Sequence, residues 1–171
     1  VTIKSMQDQL GLQKIVRAMP NLPAQIGKGV TSYTASKEVS RIELLTIENL
    51  LDTTGKSILV SSEKFIDAST GISGSGPAYV FYFMQSMMEA ALKMGFSGND
   101  SKMLVSHTFE GAVELFNQSD LSPNSWMERV ASKGGTTRAA LDSMEDNNVK
   151  ELIKEAAYSA FNRAVELGQD K

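Results

Sequence analysis

The sequence contains no cysteine and a single histidine, His107. The absence of cysteine excludes disulfide bonds and thiolate metal sites, and one histidine cannot build a histidine-rich metal site. We therefore expect no resident metal ion. A chain without cysteine fits a reducing environment, so the predicted location is cytoplasmic. His107 lies among Leu104, Val105 and Phe109, and the sequence predicts that it packs within a helix.

The chain also lacks an excess of basic residues and an uninterrupted apolar run. A net charge of -3 and a pI near 5.2 give no basic footprint for nucleic acid. The most apolar segment, from Tyr79 to Met94, is interrupted by polar residues and is too short to cross a bilayer. With 42% hydrophobic and 22% charged residues, the composition is that of a globular protein. We expect neither nucleic acid nor a membrane as a partner.

Short β-branched runs alternate with one helical pattern in the first third of the chain. The predicted strands are residues 14–18, 29–34 and 57–60. A helix is predicted between the second and third of them, with Ser36 as its N-cap and Gly55 as its C-terminal stop. This alternation is typical of the distal βαβ part of a Rossmann-like parallel sheet.

Helical periodicity replaces the β-branched runs after residue 62. The predicted helices are residues 63–70, 77–94, 99–117, 123–132, 136–144 and 149–167. Ser97 and Ser122 are suitable N-caps, Pro123 suits a first helical turn, and Gly95 suits a helix end. The sequence therefore predicts a mostly α fold with a domain boundary near residue 62.

The helix predicted after Pro77 carries six consecutive large apolar or aromatic residues, from Tyr79 to Met84. Consecutive residues surround a helix instead of forming one stripe, so this helix needs cover on all sides. Five or six helices from one chain can hardly supply that cover. We therefore expect a second copy of the chain to pack against the helical part.

Two runs of glycine and hydroxyl residues each precede a helical pattern. They are Gly71 to Tyr79 (GISGSGPAY) and Ser132 to Thr137 (SKGGTT). A helix start built from small residues exposes backbone N–H groups that can close around an anion, and the helix dipole favours negative charge there. The two runs indicate a small acidic ligand.

Structural explanations of the same residues remain open. Gly134 and Gly135 can form an ordinary turn with Thr136 as the N-cap of the next helix, and the glycines of residues 73–77 can serve close helix packing. Residues 19–24 can be a loop shaped by two prolines.

Two well-known catalytic patterns are absent. Gly71 to Ser75 reads G-I-S-G-S, which is not a G-x-S-x-G nucleophile elbow, and only His107 could act as its base. Gly74 and Gly76 are followed by Tyr79 where the third glycine of a G-x-G-x-x-G dinucleotide turn belongs. The sequence predicts neither a serine hydrolase nor a pyrophosphate-binding turn.

Together with Arg17-Ala18-Met19-Pro20-Asn21, the two runs make the chain resemble pyrroline-5-carboxylate reductases, from about Lys14 to Gly168. The resemblance implies a helical dimerisation and substrate-binding domain at residues 63–171. It also implies that residues 1–62 are the C-terminal portion of a Rossmann-like nucleotide-binding domain. The implied reaction is the reduction of 1-pyrroline-5-carboxylate to L-proline with hydride from NADPH or NADH. The implied assembly is a homodimer through the helical domain, or a higher oligomer, that binds a small imino acid.

Members of this family begin with a nucleotide-binding half that carries the Gly-rich turn. This chain starts at Val1 without that turn. We therefore expect the chain to be a fragment that lacks the pyrophosphate site and is inactive by itself.

The resemblance also assigns site residues. The residues implied to bind the substrate carboxylate are Ser132, Gly134, Gly135, Thr136 and Thr137. Among these, Thr137 is the implied catalytic residue, with its hydroxyl meeting the ring nitrogen. The residues implied to bind the cofactor near its nicotinamide are Pro20, Asn21, Ser73, Gly74 and Gly76.

Two positions depart from the family pattern. Lys133 stands where relatives commonly carry proline, which leaves the loop freer and adds a cation near the anionic ligand. Leu22 stands where they usually carry threonine, which removes a hydroxyl.

Two other functions remain open. The chain could be a non-catalytic dimerisation module that kept the fold, or a related imine or hydroxy-acid reductase with another substrate. The Gly-Gly-Thr-Thr loop favours proline chemistry over the second of these.

Overall fold

A computed structural model describes residues 1–169, and the chain forms two units. Unit 1 contains residues 1–79 together with the C-terminal residues from Lys154, and unit 2 contains Val80–Ile153. The helices are α1 (Ile3–Leu10), α2 (Arg41–Asp52), α3 (Glu63–Ser69), α4 (Gly76–Lys93), α5 (Gly98–Asn117), α6 (Pro123–Val130), α7 (Thr136–Asp146) and α8 (Val149–Gln169). The strands are β1 (Val16–Met19), β2 (Gly29–Ala35) and β3 (Gly55–Leu59). The prediction of a mostly α fold with a small sheet before the helices is confirmed.

The sheet has the order β1-β2-β3 and is mixed. Strands β2 and β3 are parallel and are joined through α2, which gives the predicted βαβ unit. Strands β1 and β2 are antiparallel, with Val16 opposite Ala35 and Met19 opposite Ser32. Only residues 20–28 connect them, whereas a parallel crossover needs about a dozen residues or more. The short connection therefore turns the chain back, and the sheet is not wholly parallel.

Helix α2 is capped by Ser40 and not by Ser36, so the predicted N-cap was wrong. The Ser40 hydroxyl accepts from the N–H of Glu43 at 3.4 Å, and the Glu43 carboxylate accepts from the N–H of Ser40 at 2.8 Å. This capping box has a recognisable S-x-x-E signature. Ser36 instead fastens the segment before β1, because its hydroxyl donates to the carbonyl of Gln13 and accepts from the N–H of Ile15.

Gly55 does not end α2, as the sequence had indicated, but begins β3. Helix α2 ends at Asp52 with Thr53 as its C-cap. Gly55 has a φ of 147°, and a Cβ at this position would lie 2.0 Å from the carbonyl oxygen of Gly29. The close approach of the two strands therefore requires glycine here.

The core of unit 1 lies where the sheet meets α3. Tyr33 on β2 and Ile66 on α3 are each 1% exposed, and Ile15 is also buried. Arg17 on β1 binds two carboxylates of α3, with Glu63 at 3.0 Å and Asp67 at 2.7 Å. Apolar packing and a charged link thus join β1 and β2 to the helix that leads into the first glycine run.

Unit 2 has far fewer buried side chains than unit 1. Ser101 and Val105 on α5 are the buried residues of its described helices. On α4, Phe81 is 58% exposed and Tyr82 is 72% exposed. The side chain of His107 is 72% exposed and its Nδ1 lies 3.2 Å from the carboxylate of Glu110. The prediction that His107 is packed was therefore wrong for this chain.

The helix ends of unit 2 follow the sequence signals closely. Ser97 accepts from the N–H of Asp100 and Ser122 accepts from the N–H of Ser125, so both predicted N-caps are confirmed. Gly95 follows α4 with a φ of 102°. None of the helices described within residues 1–169 is long and apolar enough to cross a membrane.

Candidate functional site

The second glycine run forms a tight turn followed by helix α7. The N–H of Gly135 donates to the carbonyl of Ser132 at 3.0 Å, and Gly134 has a φ of 72°, as the third residue of a type II turn requires. A Cβ on Gly135 would lie 2.4 Å from Oγ of Ser132. The two glycines therefore have different roles, since Gly134 supplies the positive φ and Gly135 leaves room for the Ser132 hydroxyl.

The turn leaves the start of α7 open to a ligand. Gly135 is the N-cap and makes no side-chain capping bond, so the alternative that Thr136 caps the helix is wrong. The first helical bond runs from the N–H of Ala139 to the carbonyl of Gly135 at 3.2 Å. In the described part of the chain, the N–H groups of residues 136–138 and the hydroxyls of Ser132, Thr136 and Thr137 have no hydrogen-bond partner.

Of the two basic residues beside this turn, Arg138 is paired with carboxylates and Lys133 is not, among the described residues. Arg138 donates from Nε to Asp142 at 2.7 Å and from an Nη to Glu145 at 3.3 Å, and the hydrogen bond to Asp142 raises the pKa of the guanidinium. Lys133 is exposed and forms no ion pair within residues 1–169. An anion at the start of α7 would thus meet free amides and the positive end of the helix dipole, and the exposed Lys133 lies two residues before the N-cap.

The predicted cofactor residues form a second cluster, in unit 1. The Asn21 carboxamide donates from Nδ2 to the carbonyl of Ser73 at 3.0 Å and accepts at Oδ1 from the N–H of Val30 at 2.9 Å. A Cβ on Gly74 would lie 3.1 Å from Cε of Met19. The structure therefore brings Met19 and Asn21, which flank Pro20, next to Ser73 and Gly74, although the two segments lie far apart in sequence. Gly76 begins α4, and a Cβ there would meet nothing within 4 Å.

Sequence reasoning missed the geometry of the first glycine run. Residues Thr70–Gly74 form a π-helical turn after α3, in which the N–H of Ser75 donates to the carbonyl of Thr70 at 2.8 Å. Such single π turns are frequent at functional sites. The turn packs against α8, since a Cβ on Gly71 would lie 2.9 Å from the carbonyl oxygen of Ala157. No local pattern signals this turn beyond the glycines themselves.

Two further serines support the turn and were not singled out from the sequence. The hydroxyls of Ser32 on β2 and Ser69 at the end of α3 are hydrogen-bonded to each other, and Ser69 also donates to the carbonyl of Ile66 at 2.8 Å. Ser32 is 1% exposed. A serine on the buried face of a strand needs a hydrogen-bond partner for its hydroxyl, and this requirement is the signal that could have singled out Ser32.

Residues 1–169 contain no group of three or more His, Asp or Glu side chains placed to bind an ion. The two clusters instead offer amides, hydroxyls and glycines. Such groups bind and orient an anionic ligand and exclude bulky side chains, and they do not by themselves supply a strong acid or base.

Comparison with known proteins identifies the family. Residues 63–167 match the family model described as pyrroline-5-carboxylate reductase dimerisation. Pyrroline-5-carboxylate reductase 2 of Bacillus subtilis is 34% identical over 168 residues, which are 98% of this chain and 60% of the relative. The chain thus spans about 60% of the length of the curated relatives it matches.

Solved structures give the same result. A pyrroline-5-carboxylate reductase from Coxiella burnetii has a TM-score of 0.92 and 35% identity, and the match covers 97% of this chain and 62% of that one. A pyrroline carboxylate reductase from Plasmodium falciparum, solved with NADP bound, has a TM-score of 0.92 and 32% identity and covers 99% and 64% of the two chains. With a family model over most of its length, the chain belongs to the pyrroline-5-carboxylate reductase family.

Proposed function

We propose that the protein containing this chain reduces 1-pyrroline-5-carboxylate to L-proline, with NADPH or NADH as the hydride donor. The observation that carries this proposal is the open start of α7, where three N–H groups and three hydroxyls lack partners in the described residues. Membership of the family supplies the reaction. A cyclic imino acid has a carboxylate that such a group of donors can bind.

The turn before α7 is the proposed carboxylate site. Ser132, Gly134, Gly135, Thr136 and Thr137 are its proposed residues. The N–H groups of Thr136 and Thr137 point along the helix axis toward its open end, where a carboxylate accepts charge-assisted hydrogen bonds. Gly134 supplies the positive φ of the turn, and Gly135 leaves room for the Ser132 hydroxyl.

Thr137 is the proposed catalytic residue. Its hydroxyl has no partner in the described residues and can bind the ring nitrogen, which becomes an amine as the carbon–nitrogen double bond is reduced. The nicotinamide cofactor supplies the hydride that is added to the imine carbon. The electron pair of the double bond then stays on the nitrogen, which already carries a proton in the iminium form. Thr137 orients that nitrogen and no strong protein acid is required.

The cofactor-binding residues proposed for unit 1 are Pro20, Asn21, Ser73, Gly74 and Gly76. Their support is the contact between the loop after β1 and the π-helical turn. The pyrophosphate of the cofactor needs a Gly-rich turn that residues 1–171 do not contain. We therefore propose that the chain by itself does not reduce the imine.

The proposed partner is a second copy of the chain, bound through the helical domain at residues 63–171. The support is the exposed apolar surface of unit 2, above all Phe81 and Tyr82 on α4. Exposed aromatic residues in such number are typical of an interface.

Paired substitutions of Thr137 test the reaction. In an active protein that contains this chain, Thr137→Val removes the hydroxyl at nearly constant volume and should lower kcat/KM for the imine about a hundredfold. Thr137→Ser keeps the hydroxyl and should stay within about tenfold of the original enzyme. Equal rates for the valine variant and the unsubstituted protein would exclude the role of Thr137.

Binding to the chain alone tests the carboxylate site. Titration with L-proline should shift the backbone amide resonances of Thr136, Thr137 and Arg138, and L-prolinamide, which lacks the carboxylate, should not shift them. Shifts confined to other residues would contradict the proposed site.

An assay of cofactor oxidation separates the proposed reductase from the two alternative functions, a hydroxy-acid reductase and a non-catalytic dimerisation module. A hydroxy-acid reductase would oxidise the nicotinamide cofactor with a 2-oxo acid and not with the imine. A non-catalytic dimerisation module would do so with neither, even when fused to a complete nucleotide-binding domain.

A further inference from the structure

Asn21 takes over hydrogen bonding at the point where the β1–β2 ladder stops. The register ends with Met19 opposite Ser32, so the next positions would place Pro20 opposite Thr31 and Asn21 opposite Val30. Pro20 has no N–H to donate, and the ladder ends there. The side chain of Asn21 then accepts from the N–H of Val30 at 2.9 Å. The side-chain oxygen of Asn21 thus takes the place of a backbone acceptor on β1 for the N–H of Val30, near the start of β2.

The other end of the same carboxamide satisfies a carbonyl that the helix cannot satisfy. In a continuous helix the carbonyl of Ser73 would accept from the N–H of residue 77, which is proline. The N–H of Ala78 is taken by the carbonyl of Ser75 at 3.0 Å. Nδ2 of Asn21 donates to the carbonyl of Ser73 at 3.0 Å. Pro77 creates the vacant acceptor and Asn21 fills it.

Both polar atoms of the Asn21 side chain are therefore bound to protein backbone. A carboxamide can use its oxygen as an acceptor and its nitrogen as a donor at the same time, which no carboxylate or hydroxyl does with the same shape. Asn21 joins β2 to the π-helical turn by one rigid group. The packing of Met19 against Gly74 lies directly beside it.

We infer that Asn21 is a positioning residue, which holds the Ser73–Gly74 backbone at the end of β1 and so fixes how that backbone meets the nicotinamide cofactor. This inference rests on the proposed reductase function. It gives Asn21 a role through Ser73 and Gly74, beyond the cofactor binding already proposed for it.

Hydrogen exchange of the chain tests the link without any assay of activity. Asn21→Asp keeps an acceptor for the N–H of Val30 but places an oxygen against the carbonyl of Ser73. The amide of Ser75 should then exchange about tenfold faster, while that of Val30 stays protected. Asn21→Ala should accelerate both amides. Asn124→Ala, which removes an exposed carboxamide bound to Glu128, is the control and should change neither.

Kinetics of an active protein that contains the chain test the consequence. Asn21→Asp and Asn21→Ala should raise the KM for the nicotinamide cofactor about tenfold and leave the KM for the imine within about twofold. An aspartate variant with the original cofactor KM would overturn the inference.

The two proposals fail in different ways. If the unsubstituted protein does not reduce the imine, the proposed function fails, and the exchange measurement still decides whether Asn21 holds the turn. Unchanged exchange of Ser75 in the aspartate variant would overturn the link even in a protein that is a good reductase.

Discussion

The two units of the chain differ in how well their side chains are buried. Unit 1 has a core of its own in which Tyr33 and Ile66 are almost completely buried. Arg17 connects β1 to α3, and Asn21 connects β2 to the π-helical turn. In unit 2, within the described residues, Ser101 and Val105 are buried while aromatic residues of α4 are exposed. Unit 1 therefore specifies its geometry by internal contacts, and the helices of unit 2 need apolar cover from elsewhere.

The difference bears on the two clusters of site residues. The cluster around Asn21 is held by contacts between segments that are distant in sequence. The turn before α7 is held by one local hydrogen bond and by the conformations of two glycines. We therefore expect the proposed cofactor-binding cluster to be rigid and the proposed carboxylate site to be open and locally built.

The largest expected effect comes from charging the uncovered surface of unit 2. Phe81→Glu should weaken self-association about a hundredfold or more, because a carboxylate without a partner is costly to bury in an apolar interface. Sedimentation equilibrium measures it. Asn124→Glu adds the same charge at an exposed position at the start of α6 and should leave association unchanged. An unsubstituted chain that is monomeric at micromolar concentration would remove the contrast between the units.

An intermediate effect, of opposite sign in the two units, is expected for a pair of glycine substitutions. Gly71→Ala should lower the free energy of unfolding by about 1–3 kcal/mol, because its Cβ would lie 2.9 Å from the carbonyl oxygen of Ala157 on α8. Gly111 lies inside α5, and a Cβ on it would meet nothing within 4 Å. Gly111→Ala should therefore raise the free energy of unfolding by about 0.5–1 kcal/mol.

Urea unfolding at a concentration low enough to keep the chain monomeric measures both glycine variants. Gly111→Ala doubles as the control for Gly71→Ala, since the added methyl group is the same. Destabilisation by Gly111→Ala that is found only in a second series, at concentrations where copies associate, would locate Gly111 in a tight contact between copies.

The smallest expected effect is the response of unit 1 to acid. Hydrogen bonds from Lys14 and from Ser40 lower the pKa of Glu43 from 4.5 to about 2. Because the folded-state pKa lies below the ordinary value, this contribution to stability is complete above about pH 4.5 and is lost as the pH falls through about 2. Glu43 is exposed, so the effect is small and screened by salt.

Thermal unfolding between pH 2 and 7, at low and at high salt, measures the contribution of Glu43. Glu43→Gln should reduce the fall of the melting temperature between about pH 4.5 and pH 2, the acid limb of the profile. Lys14→Met, which removes the ammonium group 2.7 Å from the carboxylate, should reproduce most of that reduction. An acid limb that is identical in all three proteins would show that the capping box, without its charge, is sufficient.

Most helix positions could be predicted from sequence because their signals are local. Ser97 and Ser122 cap helices within three residues of themselves, and proline follows Ser122 directly. The error at Ser36 had a local remedy as well, since the pattern from Ser40 to Glu43 is a capping box. The reversed direction of β1 was also within reach, because the connection to β2 is too short for a crossover.

Other features could not be predicted because their causes are distant in sequence. Nothing around Ser73 shows that its carbonyl is bound by a side chain 52 positions earlier. The π-helical turn depends on contacts with β1 and α8 that no local pattern encodes. The exposure of His107 likewise depends on which face of α5 finds a neighbour.

The sequence by itself determined the family, most helix positions after residue 62 and the glycines that the two turns require. These follow from short-range rules, namely capping, the positive φ of a turn and the space left by a missing Cβ. Only the tertiary structure decided that β1 runs antiparallel to β2 and that Asn21 holds the Ser73 carbonyl. The physical reason is that a backbone acceptor left vacant by Pro77 must find its donor in space, and the nearest donor belongs to another part of the chain.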